Sequence, residues 1–208
     1  MAITNSEIRK QARNALDGNW GNSAVLILVF YLITLSLPIY GTIGGFNSPF
    51  LNLWSLLCLP MGWGIAVYFL SIVRREKADM SMLFIGYKDF IRIFFTILLQ
   101  NLYKFLWSLL LIVPGIIKSC SYAMTPYILR DNPDMKYDAA ITESMRLMDG
   151  HKMKLFLLSL SFIGWGILCL LTFGLGFLLL VPYMQASIAA FYEDLIADEK
   201  VSTSTYTI

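Results

Sequence analysis

Long stretches of this chain carry no charge. Residues 18–73 and 155–192 contain no Asp, Glu, Lys or Arg, and residues 93–129 contain only Lys104 and Lys118. A helix on the surface of a soluble protein needs a polar face, and an uncharged run from 18 to 73 leaves little to build one. Acidic side chains are missing from all three stretches, which argues against a carrier driven by protons or sodium, since such carriers commonly place carboxylates inside their spans. Histidine is reduced to His151, and the three cysteines, Cys58, Cys120 and Cys169, are isolated within apolar runs with no C-x-x-C spacing. They read as small buried hydrophobes and not as redox or metal ligands. H-E-x-x-H, G-x-S-x-G, P-loop and dinucleotide fingerprints are absent. A net charge of +2, with acids and bases interspersed, excludes a nucleic-acid stripe.

The charge that is present is gathered into islands. All 14 Asp and Glu, and all of the 16 Lys and Arg except Lys104 and Lys118, lie in residues 1–17, 74–92, 130–154 and 193–208. A bilayer core about 30 Å thick takes about 20 apolar residues per helical pass, so each stretch between islands is long enough for two passes. Composition agrees: charged residues make up 14%, apolar residues 57%, and mean hydropathy is +0.64. The first apolar run, Ala24 to Tyr40, is too long for a secretory leader and a second run follows it, so no cleavable signal peptide is expected.

Orientation follows from the basic residues. Arg9, Lys10 and Arg13, then Arg74, Arg75, Lys77, Lys88 and Arg92, then Arg130, Lys136, Arg146, Lys152 and Lys154 all fall on one side if each stretch is a hairpin. The positive-inside rule makes that side cytoplasmic. As one unbroken helix the middle stretch would run about 55 Å, and Pro114-Gly115 near its centre suits a turn. The expected fold is an all-α transmembrane bundle of about six passes, near 22–40, 51–73, 92–112, 115–130, 154–171 and 175–195. Both termini are cytoplasmic, and the short fourth pass is a candidate re-entrant segment. Trp20, Tyr127 and Tyr192 are expected near the inner boundary, and Tyr40 and Tyr183 near the outer one. Core packing is the expectation for Trp54, Trp63, Trp107 and Trp165.

The islands also contain amphipathic helices, expected to lie at the interface. In 5–17, Ile8, Ala12, Ala15 and Leu16 share a face, and Thr4 with Glu7 has capping-box spacing. In 134–149, Tyr137, Ile141, Met145 and Met148 share a face after a start at Asn132-Pro133. LDGNW (16–20) and MDGHK (148–152) place a glycine where a left-handed helix cap belongs, and FIGYK (84–88) is a fainter copy. Each glycine precedes an apolar hairpin whose second arm contains a proline: Pro60, Pro114 and Pro182. This gives one membrane domain over 1–196, with parallel repeats 1–73, 74–130 and 131–196 about an axis along the membrane normal, and a flexible cytoplasmic tail over 197–208. Gly62 with Ala66, and Ala186 with Ala190, have the spacing that lets helix backbones approach in lipid.

Candidate ligand-binding residues are few. Lys104 and Lys118 are the charges inside the spans, and Gln100 and Asn101 precede Lys104 by a turn or less. The four could line a polar cavity holding an anionic group, a lipid phosphate or an acidic solute; the plain alternative is that the lysine stems snorkel to the interface. Asp131 and Asp134 in DNPD read as a turn and helix cap in preference to a metal site.

Several runs carry a family resemblance. YILRDNPDMKYDAAITESMRLMDGHKMKLFLLSLSFIGW (127–165), LLLIVPGIIKSCSYAMTPYIL (109–129), the LTFGLG…PY…AAFY ending (171–192) and IRKQAR…L.GNW near the start resemble the bacterial integral membrane family termed domain of unknown function 975. The resemblance covers nearly the whole chain and implies a multi-pass protein of the cell membrane. It carries over no activity and no functional residue. The hairpin pattern is also similar to the membrane domain joined to some glycerophosphodiester phosphodiesterases.

The function expected is therefore that of a non-catalytic membrane protein that binds or moves a small or lipid-like ligand, or scaffolds a partner. No cofactor, metal or nucleic acid is implied, the bilayer is the expected partner, and the oligomeric state stays open. The alternatives are a lipid enzyme using cytoplasmic carboxylates such as Asp131 or Asp134, and a regulatory subunit reading bilayer state.

Overall fold

The computed structural model describes residues 3–43, 54, 56–110, 112–172 and 174–205, and every regular element among them is helical. In order they are α1 (Asn5–Leu16), α2 (Trp20–Ile43), α3 (Leu59–Val73), a 3-10 segment (Met80–Tyr87), α4 (Phe90–Leu110), α5 (Ile112–Ser121), α6 (Thr125–Asp131), α7 (Asp138–Leu147), α8 (Lys152–Leu160), α9 (Ile163–Leu171) and α10 (Phe177–Thr205). The expected turn region 41–50 lies mostly outside the described residues, as does residue 173 in the last expected turn.

Local chemistry sets the ends of these helices. The Thr4 and Glu7 side chains close a reciprocal capping box at the start of α1. Gly18 and Gly150 adopt φ of +80° and +76°, the left-handed conformation predicted after α1 and α7. Gly86, their faint counterpart, serves differently: a Cβ there would stand 2.6 Å from the Pro60 carbonyl oxygen, so glycine lets the 3-10 segment lie against the start of α3. The middle turn comes earlier than Pro114. Pro114 occupies the first turn of α5, where a missing N–H costs nothing, and a Cβ on Gly115 would meet Ser108 Cα at 2.9 Å. Helix α7 starts at Asp138, four residues after the predicted start. The intervening loop is pinned to α4 instead: Tyr137 N–H donates to Thr96 Oγ1 at 3.0 Å, and Arg92 Nη1 donates to the Met135 carbonyl at 3.3 Å.

Two stretches pair as antiparallel hairpins with unlike arms, while α2 packs against α10 and the 3-10 segment. In the middle hairpin Arg92 reaches the Leu129 carbonyl and Gln100 the Tyr122 carbonyl, so α4 runs back along α5 and α6. In the last, Lys154 meets Asp194 at 2.6 Å and the Phe162 ring meets Tyr183 at 5.3 Å, so α8 and α9 run back along α10. The first arms α2, α4 and α8–α9 turn large apolar side chains outward, Leu32, Phe105, Leu109, Leu170 and Leu171 among them. Among the second arms α3 is buried from Trp63 to Ile72, and Tyr68, Tyr127 and Tyr192, on α3, α6 and α10, are all buried, whereas α5 exposes Val113 and Ile117 and α10 exposes Leu179.

Length and composition qualify two helical stretches to cross a membrane, Phe90–Leu109 and Lys152–Leu171, and a third if Asn5–Leu16 and Trp20–Ser36, bent by 93°, count as one. All belong to first arms. The second arms fall short for separate reasons. Helix α3 has 15 residues, the predicted fourth pass breaks into α5 and α6 at Tyr122–Met124, and α10 acquires acids from Glu193 on. Helix α10 also continues through the predicted flexible tail to Thr205, since it meets no helix breaker after Pro182, and Arg146 binds Glu199 from α7.

The segments between hairpins do not splay outward. Each folds back along an inner arm. The 3-10 segment covers α3, with Gly64 so close that a Cβ would stand 2.5 Å from the Met82 carbonyl oxygen. Helix α7 covers α6 and the end of α5, where Ser144 Oγ donates to the Ser121 carbonyl at 2.8 Å and accepts from the Met124 N–H at 3.2 Å. Helix α1 covers α10: Ile3 N–H reaches Asp194 at one end, and the Trp20 ring beyond the other end lies 6.3 Å from Tyr183. The apolar stripe of α1, Ile8, Ala12 and Leu16, is fully buried by this packing, and so are Ile141 and Met148 after it on α7. These faces are spent on protein and not left free for a lipid surface. The same geometry corrects the aromatic assignments. Trp20 and Tyr183 are neighbours and do not mark opposite boundaries, whereas Tyr127 and Tyr192, expected at one boundary, stack on each other at 5.1 Å. Gly62 faces open space, and Gly64 makes the close approach expected of it.

Candidate functional site

The ends of the inner arms meet in an ion-pair cluster. Arg74, just past α3, donates through Nη1 and Nη2 to both oxygens of Asp131 on α6, at 2.7 and 2.6 Å, and through Nε to Glu193 on α10 at 2.8 Å. The Tyr192 hydroxyl donates to Asp131 Oδ2 at 3.0 Å. Hydrogen bonding from Asp131 above all, and from Glu193, raises the Arg74 pKa well beyond its ordinary range against the opposing effect of partial burial. The planar fork of arginine suits this bidentate geometry where lysine would not. Beside it, Arg130 donates to the Val67 carbonyl at 3.2 Å and pairs with Glu76, and Trp63 Nε1 donates to the Pro126 carbonyl at 2.8 Å. Sequence reasoning missed this cluster. Its signal was positional: Arg74, Asp131 and Glu193 each stand at or near the inner end of a predicted second arm.

The cluster bears on catalysis. The Asp131 carboxylate accepts from Arg74 at both oxygens and from Tyr192 at Oδ2, which ties it into the ion-pair cluster, and Asp134 is exposed on the following loop. Among the described residues no group of three or more His, Cys, Asp or Glu could hold a metal.

Three of the four predicted ligand-binding residues come together elsewhere. Gln100, Asn101 and Lys104 line one side of a cleft of about 320 Å³ between α2, α3, α4 and α6, opposite Thr34, Cys58, Gly62 and Trp63. Sites for small ligands begin near this size. Gln100 is 3% exposed and donates through Nε2 to the Tyr122 carbonyl at 2.7 Å, where the break between α5 and α6 frees that oxygen. Thr34 Oγ1 is buried in the wall beside the Cys58 thiol, with no nitrogen or oxygen partner. Lys104 is half-buried, has no ion-pair partner among the described residues, and is the single charged side chain lining the cleft. An orphan hydroxyl, two amides and one ammonium facing apolar walls form an anion-accepting set. Lys118 lies outside it: its Nζ sits 5.0 Å from the centroid of the Trp107 ring across the α4–α5 hairpin, a cation–π contact. The sequence placed both lysines in one polar region because it could not supply the rotation of α5 about its own axis.

A second cavity, about 610 Å³, runs between the α1–α2 junction and the α9–α10 turn, lined by Arg13, Trp20, Trp165, Cys169, Gly176, Leu179, Leu180 and Tyr183. A third, apolar cavity of about 300 Å³ lies between α5 and α8, with Lys152 at its edge. No curated protein and no solved structure matches the chain. A family model described as "Protein of unknown function (DUF975)" matches residues 1–120 and again 109–199. Together the two matches cover residues 1–199, nearly the whole chain, and the chain belongs to the DUF975 family.

Proposed function

We propose that this chain is a multi-pass protein of the cell membrane that binds an anionic, lipid-like or small ligand between its hairpins, without catalysis. Its first arms serve as lipid-facing passes and its second arms complete the six crossings, with both termini and every charge island in the cytoplasm. The exposed apolar side chains of α4 and α8–α9 support that placement, because a patch so extended on a soluble surface would drive aggregation. The hairpins are three parallel repeats over 1–73, 74–130 and 131–196. In support, each fold-back element covers the inner arm of the preceding hairpin, and α1 covers the last, as a cyclic arrangement requires.

The single observation that carries the binding reading is the cleft of Gln100, Asn101 and Lys104, with an unpartnered Thr34 hydroxyl and no carboxylate in its lining. Removing the cation removes the attraction for an anion, so Lys104→Leu should abolish retention of a co-purified anionic ligand in native mass spectrometry, while Lys118→Leu leaves it intact. Equal retention by both variants would leave Lys104 a snorkelling side chain and end the reading. A lipid enzyme built on Asp131 is disfavoured, because that carboxylate is held by Arg74.

A further inference from the structure

The larger cavity has a chemistry of its own. Its walls are Trp20, Trp165, Leu179, Leu180 and Tyr183, and its single charged lining residue is Arg13. Arg9 stands one helical turn before Arg13 on the same face of α1. Neither arginine has a carboxylate partner among the described residues. The acids nearby on α10 are already engaged, Glu193 by Arg74 and Asp194 by Lys154. Arg13 thus sits at one end of an apolar groove with Arg9 one turn away from it, and the groove runs from Arg13 along α9 and α10 to the turn at Cys169 and Gly176. It opens to the outside: Trp165 and Leu179 are 57% and 56% exposed.

A free small anion would gain nothing from such walls, and a neutral hydrocarbon nothing from the arginines. The complement to both is one molecule with a phosphate at one end and an acyl chain at the other. We propose that this groove is a binding site for an anionic phospholipid, whose phosphate is held by Arg9 and Arg13 and whose chain lies against Trp165, Leu179 and Tyr183. The proposal rests on the membrane reading above, and is separate from the Lys104 cleft, which shares no lining residue with it.

The test uses the full chain in detergent with added phosphatidylglycerol or phosphatidylcholine, and native mass spectrometry as the readout. Wild-type protein should retain phosphatidylglycerol about tenfold better than phosphatidylcholine, as expected of a charge-assisted contact. Arg9→Gln with Arg13→Gln should remove one phosphatidylglycerol with the unfolding midpoint unchanged, since Arg13 is exposed and Arg9 half-buried. Leu179→Trp, which fills the groove and leaves the charges, should remove it as well, and inorganic phosphate should not compete. Lys104→Leu should leave this lipid in place. Retention of every phosphatidylglycerol by the double glutamine variant overturns the proposal, and loss in Lys104→Leu alone overturns it while upholding the cleft. Competition by phosphate together with an unaffected Leu179→Trp variant would replace the lipid with a free anion and also overturn it.

Discussion

The inner and outer arms of the same hairpins solve opposite problems with similar composition. Helix α3 is almost wholly buried, closed by the 3-10 segment over Gly64 and by Arg74 at its end, whereas α9 leaves Ile163, Trp165, Ile167, Leu168, Leu170 and Leu171 more than half exposed. Both are nearly pure apolar sequence. What separates them is polar supply nearby: the inner arms end at residues able to pair, Arg74, Asp131 and Glu193, and each is covered by an island segment with an apolar stripe of its own. Hydrophobicity marks a helix as something to be shielded from water. The neighbouring polar residues decide whether another part of the protein does the shielding.

That contrast can be broken in four ways. The largest effect should come from Ile8→Ala, which empties a fully buried site between α1 and α10 and should lower unfolding free energy by about 3 kcal/mol. Leu171→Ala on the outer face, 74% exposed, should stay within about 0.5 kcal/mol in the same detergent denaturation. Equal losses would erase the distinction between the arms. Next, Asp131→Ala strands the Arg74 guanidinium. The full cost of breaking a buried pair is about 3–5 kcal/mol, and partial exposure of the two side chains, 26% and 21%, reduces the expectation to about 2 kcal/mol. Asp134→Ala, on the exposed loop, is the control and should be silent.

A third pair lies on a single helix. Gly64→Ala drives a methyl into the Met82 and Leu83 carbonyls and should cost about 1.5 kcal/mol, while Gly62→Ala meets nothing and should be neutral in thermal melts. The smallest effect is electrostatic. The Arg146 side chain, which also engages Glu199, holds the Glu143 carboxyl below its ordinary 4.5. A lowered folded pKa contributes stability above the unfolded value, and that stability is lost as pH falls through the folded one. The unfolding midpoint should therefore decline below about pH 4.5, less so in Glu143→Gln, and identical acid limbs would remove Glu143 from the account.

Much of the outline was legible in the residues. The all-helical fold, the capping box at Thr4 and the left-handed Gly18 and Gly150 follow from local chemistry that spacing reveals, as does the nearness of Gln100, Asn101 and Lys104 to one another. The failures share a cause. Whether the stripe of Ile8, Ala12 and Leu16 meets lipid or protein depends on a helix nearly the whole chain away, and no local pattern records that. Sequence places Tyr127 and Tyr192 by depth alone, and that their rings stack and Tyr192 donates to Asp131 depends on partners more than sixty residues away. Gly62 and Gly64 stand two apart, so only the rotation of α3 about its axis could say which one touches a neighbour.

The bond from Ile3 to Asp194 joins positions 191 residues apart. While the ribosome makes this chain, its first helix emerges before the helix that will cover it exists. Its greasy stripe must wait, held by chaperone or by the lipid surface, until the final hairpin is in place. Packing of α1 onto α10 therefore waits for the far end of this chain, and a polypeptide stopped short of α10 would leave the stripe of Ile8, Ala12 and Leu16 uncovered.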